Sequence, residues 1–133
     1  MPKLRQDTPH IVPGRNRSGV AVPPHRFIKN DPGNGPDAVQ LAAAATDVIQ
    51  GVSLENIADG ANGDIARSLG TVILEIGAAV AAEGIKLTSD GTGRAIPVSA
   101  DLQCVGAISE TTGGVAGDLI EATLVAPGQQ HGA

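Results

Sequence analysis

The residue types that do chemistry are few in this chain and lie far apart. The histidines are His10, His25 and His131. Their spacing matches neither a zinc-ligand pattern nor a nucleophile–base–carboxylate set. Cys104 is the single cysteine, which excludes an intrachain disulfide and a thiolate-rich metal cluster. It sits in the apolar run 102–108 and reads as a small buried hydrophobe, not a nucleophile. Gly91-Thr92-Gly93 falls inside a turn, not at a strand-to-helix junction where a glycine-rich loop would cradle phosphate. Asp90, Asp101, Asp118 and Glu121 are scattered and read as solvated turn residues. The stretch from Asp59 to Gly63-Asp64 lacks the ligand density of a calcium loop. Phe27 is the only aromatic, so no stacking platform for nucleic acid is present. The sequence predicts no enzyme, no cofactor and no metal.

The elements that would carry these residues repeat. Residues 27–70 and 84–125 share a plan: Ile28-Lys29 matches Ile85-Lys86, Gly51-Val52 matches Gly106-Ala107, and Gly63-Asp64-Ile65 matches Gly117-Asp118-Leu119. The offsets are 57, 55 and 54 residues. In TVILEI, residues 71–76, Val72, Leu74 and Ile76 fall on one face, with Thr71, Ile73 and Glu75 on the other, the alternation of a half-buried strand. Further strands are expected over 38–41, 85–87, 94–98, 103–108 and 118–125. Their separators are rich in Gly, Asp and Ser. The LAAAA run and Val48-Ile49 read as strand–turn–strand, residues 53–58 as one helical turn, 77–84 as a loop, and the DPGNGPD stretch as a turn. The fold class is all-β: a small barrel or sandwich from two similar units, with an extended N-terminal arm. The expected divisions are a basic, proline-rich arm over 1–26, a body over 27–127 with Phe27 as its first core anchor, and a tail over 128–133.

Composition sets further bounds. The 133 residues suit one domain, and with one Phe and no Trp or Tyr its core must be built from small aliphatic pieces. Partners are therefore expected to supply part of the stability. No apolar run reaches the length of a membrane span, and the N-terminus lacks a secretory apolar region, which predicts a soluble product made in the cytoplasm. Charge is asymmetric. Residues 1–30 carry six cations against one acid, and residues 31–133 three against thirteen, giving +5 and −10. The arm is expected to order on a partner through Arg and Lys contacts and main-chain pairing.

Several features in order give a family resemblance. They are Arg26-Phe27-Ile28-Lys29, the Ala-Thr-Asp turn leading to Gly51-Val52, Gly63-Asp64, the strand closing on Glu75 and Gly77, the hairpin from Leu87 to Ala95, Val105-Gly106, and the closing stretch from Ala116 to Leu124. Together they resemble the phage capsid decoration, or cement, proteins of the DUF2190 type, over about three quarters of the chain. The longer basic start and the DPGNGPD insertion depart from that pattern. The resemblance implies a β-barrel-like homotrimer on the outer surface of a virion head, bound to the major capsid protein and bridging its subunits, with no membrane and no direct nucleic acid. The interface residues expected on this basis are Lys3, Arg5, Ile11, Val12, Arg15, Arg17, Arg26 and Phe27. One variant has the basic arm gripping the acidic body of a neighbouring copy. The reading kept open beside it is a small ligand-binding β-barrel or enzyme accessory domain.

Overall fold

The structure, a computed structural model, describes residues 10–131. Ten strands follow one another: β1 (His10–Asn16), β2 (Phe27–Asn30), β3 (Ala38–Leu41), β4 (Gly51–Ser53), β5 (Asn62–Arg67), β6 (Thr71–Glu75), β7 (Lys86–Ser89), β8 (Ala95–Pro97), β9 (Ala107–Ser109) and β10 (Leu119–Leu124). A single 3-10 turn, Pro32–Asn34, lies in the expected DPGNGPD turn. The all-β expectation holds.

Two five-stranded units divide the strands. In the first, β1-β3-β2-β4-β5 closes into a barrel, because β1 pairs with both β3 and β5. In the second, the order is β6-β10-β9-β7-β8. With β1–β5 matched to β6–β10 and the closed ring read in the opposite sense, the barrel order is that of the second sheet, which is open where the barrel has its β1–β3 seam. The parallel β1–β3 seam, Arg15↔Ala38 and Asn16↔Val39, has its counterpart in a parallel bridge Ile76↔Ala95. The antiparallel bridge Val22↔Ile57 has its counterpart in Val80↔Gly113. The duplication visible in the sequence is therefore real but longer than the sequence match. Each copy begins one strand earlier, at β1 and at β6.

That extra strand corrects the expected domain boundary. Residues 10–16 are no arm; they pair antiparallel with β5 from His10↔Arg67 to Arg15↔Asn62. Residues 1–9, with Lys3 and Arg5, lie outside the described residues. The prolines that suggested an arm are compatible with the barrel for a local reason. Asn16 N donates to Ala61 O at 2.9 Å and Arg15 N to Asp37 O at 3.0 Å, so even residues of β1 face β5 and odd residues face away. Pro13 is odd, and its missing donor falls on the open side. The expected tail is also corrected. Cys104 bridges Gln130, Val105 N donates to Gln129 O at 2.8 Å, and His131 N donates to Gln103 O at 2.9 Å. The expected helical turn at 53–58 and a strand through Val48-Ile49 are not formed, and the strand expected over 103–108 shortens to β9.

Two apolar clusters fill the molecule. Val22, Ile28, Val39, Ile57 and Ile65 fill the barrel, bordered by Val12, Leu41 and Ala61. At Gly14 a Cβ would lie 2.8 Å from Ile65 Cγ1, so this narrow barrel needs glycine there. The larger cluster joins the units: Phe27, Ala42, Ile49, Val52 and Ala66 of the first pack with Val72, Leu74, Ile76, Leu87, Ile120 and Leu124 of the second. Each fully buried aliphatic side chain contributes about 1.5–3 kcal/mol.

Candidate functional site

The expected interface residues separate into three groups. Phe27 has no exposed surface, and it packs between the units. Arg26 is spent in the same place. Its Nη2 lies 3.3 Å from Glu75 Oε2 and its Nη1 donates to Thr92 O at 2.9 Å. Arg94 Nε reaches the same carboxylate oxygen at 2.7 Å, though its N–H is not aimed at it. Glu75 thus holds one arginine from each unit. Main-chain bonds flank it: Glu75 N to His25 O at 2.9 Å and Phe27 N to Gly93 O at 2.7 Å. Arg26 and Phe27 are corrected from interface to internal junction. Arg15 is half-buried and paired with Asp37 at 3.2 Å, and Val12 borders the barrel core. Ile11 and Arg17 are exposed. Three of the four described cations of this N-terminal stretch are paired from within: Arg15 by Asp37, Arg26 by Glu75 and Lys29 by Asp47.

The aspartates read as turn residues organise loops. Asp90 Oδ1 accepts from Thr92 N at 2.8 Å and Arg94 N at 3.0 Å. Asp118 Oδ2 accepts from Gly114 N and Val115 N. Asp47 Oδ2 accepts from Ala43 N at 2.8 Å and Ala44 N at 3.0 Å. Burial pushes the Asp47 carboxyl up, but these N–H groups and Lys29 outweigh it and hold the group below its ordinary value. Cys104 is buried, and burial followed by the Asp47 charge pushes its thiol up, the reverse of an activated nucleophile. Among the described residues no pocket opens and no cluster of metal-ligating side chains forms. None of them forms a helix long and apolar enough to cross a membrane.

What the surface presents instead is the outer face of β6, β10 and β9. Register places Ile73 opposite Glu121, and Leu119 opposite Glu75. Glu110 N donates to Glu121 O at 2.8 Å, so Glu110, Glu121 and Ile73 stand in one row across three strands. Leu119 is 54% exposed, and Val115 in the adjoining turn 64%. The sequence assigned Thr71, Ile73 and Glu75 to one face but gave no sign that this face would stay uncovered. It missed Glu75 as a bridge altogether, since Arg26 and Arg94 are distant in sequence. Leu69, 72% exposed, and Ser68 both hold positive φ, 48° and 39°, in the turn that joins the units.

No family model matches the chain, and no curated protein matches it. Among solved structures it is similar to the N base of the head fiber protein gp8.5 of bacteriophage phi29. The TM-score is 0.67 at 17% identity, covering 92% of this chain and 98% of that one. At this identity the likeness shows a shared fold.

Proposed function

We propose that this chain is a structural protein of a bacteriophage head, a decoration or cement protein seated on the outside of the shell as a homotrimer and binding the major capsid protein. The observation that carries the reading is the shared fold with a phage head fiber base, which spans nearly the whole of both chains. The order of turn motifs that resembles decoration proteins supports it independently. The physical role is mechanical: many copies, each holding weakly, reinforce a shell through multivalency. No chemistry is asked of the chain. Of the cations first assigned to the shell contact, Lys3, Arg5 and Arg17 remain in the reading; Arg15 and Arg26 serve the fold.

The test mixes purified protein with heads of the phage that encodes it and pellets them. Saturable co-sedimentation in multiples of three, with heads made more resistant to heat, is expected. Protein left in the supernatant at micromolar concentration with intact mature heads rejects the reading.

A further inference from the structure

Two Asn-Gly pairs stand in the chain, Asn34-Gly35 and Asn62-Gly63, and both asparagines are exposed. Asparagine before glycine favours attack of the next main-chain nitrogen on the side-chain amide. The nucleophile is held one residue away, and glycine has no Cβ to bar the approach. The sequence treats the two pairs alike; the structure separates them.

At Asn62 the nucleophile is engaged. β1 pairs Gly14 with Gly63 and Arg15 with Asn62, and Asn16 N donates to Ala61 O at 2.9 Å. The alternation of this antiparallel ladder puts Gly63 N on Gly14 O. Gly63 is also buried, with the Ile57 side chain packed against its Cα. Reaction at Asn62 requires β1 to leave β5, so its rate carries the free energy of opening the barrel.

At Asn34 no ladder intervenes. Gly35 lies outside every strand, directly after the 3-10 turn Pro32–Asn34, with φ 122° and ψ 167°. Residues 32–34, Pro36 and Asp37 are exposed. The bonds that shape the turn are local: Asn34 N to Asp31 O at 3.0 Å, Asn34 Nδ2 to Asp31 Oδ2 at 2.8 Å and Ala38 N to Gly35 O at 3.3 Å. Such a turn opens without the rest of the fold.

We propose that Asn34 is a site of spontaneous deamidation, and that the modification loosens the seam of the barrel. A bond forms between Gly35 N and Asn34 Cγ, the Cγ–Nδ2 bond breaks, and Nδ2 leaves as ammonia with the proton that Gly35 N gives up. Water then adds to one carbonyl of the cyclic imide, leaving aspartate or isoaspartate at position 34. Water is the only co-reactant. The donor that Asp31 accepted is replaced by a carboxylate, so two like charges stand where a hydrogen bond stood. The isoaspartyl form also adds a methylene to the main chain between β2 and β3. This turn ends on Asp37, which pairs with Arg15 at 3.2 Å and accepts from Arg15 N at 3.0 Å across the β1–β3 seam. The change is one-way and makes the net charge of −5 one unit more negative. It concerns the chain whatever its partner is.

The experiment incubates the full chain in mildly alkaline buffer and maps its peptides by mass spectrometry, where each deamidation adds one mass unit. In the folded protein the peptide holding Asn34 should convert faster than that holding Asn62, by on the order of tenfold or more. In denaturant the two should convert at similar rates. The product at position 34 should be a mixture of aspartate and isoaspartate. Asn34→Gln, in which a larger ring closes slowly, should leave that peptide unconverted. Asn34→Asp should speed amide exchange at Arg15 while leaving Val72 and Leu74 as in the parent. Conversion at Asn62 as fast as at Asn34 in the folded chain overturns the assignment of the site. So does an Asn34 that stays intact while both react in denaturant, or aspartate as the sole product. Arg15 exchange unchanged by Asn34→Asp overturns the effect on the seam.

Discussion

At the scale of single residues, the acids of this chain are loop braces. Asp47 shows the pattern most fully. It gathers two main-chain donors and Lys29, 3.0 Å away, at the mouth of the loop between β3 and β4. Its carboxyl is held below the ordinary 3.8. A lowered pKa in the folded state stabilises the protein above the ordinary value and loses that contribution as pH falls through the folded one. Asp47→Asn should therefore cost stability near neutral pH, and the gap to the parent should shrink between roughly pH 5 and pH 3. Urea midpoints measured across that range check it; a gap that does not change with pH rejects the ionic role. Leu69 is the opposite kind of residue. It is a large apolar side chain at positive φ on the surface, and nothing in the structure explains why leucine stands there.

At the scale of elements, β1 decides between an arm and a barrel. It closes the first sheet, carries Val12 to the edge of the core, and places Asn16, whose Nδ2 donates to Val20 O at 2.7 Å and Ile57 O at 2.9 Å. On the sequence reading, deleting residues 1–24 removes a partner-binding arm that lies outside the folded body. On the structure it opens the barrel and exposes Ile65 and Val39. The truncated chain should lose its cooperative thermal transition, as read by circular dichroism; an unchanged midpoint would contradict β1 as a barrel stave. The later strands were legible because their signals are local. β6 alternates cleanly, and SDGTG forms its hairpin through Asp90. β1 was illegible because a proline reads as a breaker until its open side is known.

At the scale of the molecule, the two units share one core. Phe27 lies in the cluster that spans them, Cys104 N donates to Ala45 O at 2.7 Å, and Glu75 ties Arg26 to Arg94. Gly106 belongs to the same junction, since a Cβ there would meet the Phe27 ring at 2.7 Å and Ile49 at 2.8 Å. Phe27→Ala should cost about 3–5 kcal/mol while leaving a single unfolding transition, because both units lose the same support. Denaturation followed by far-ultraviolet circular dichroism and by calorimetry would show two transitions if the units were independent.

The sequence by itself determined the all-β class, the strand over 38–41, those from Thr71 onward and the fact of duplication. These depend on local alternation and on Gly, Asp and Pro at fixed places. Only the tertiary structure decided where each copy begins, which cations are neutralised, and which edge stays open. Those outcomes rest on pairs distant in the chain, such as His10 with Arg67 or Glu75 with Arg26, and no local pattern encodes which groups will meet. The strand TVILE shows the division: its faces follow from alternation, while its open side follows from β8 touching it at one residue.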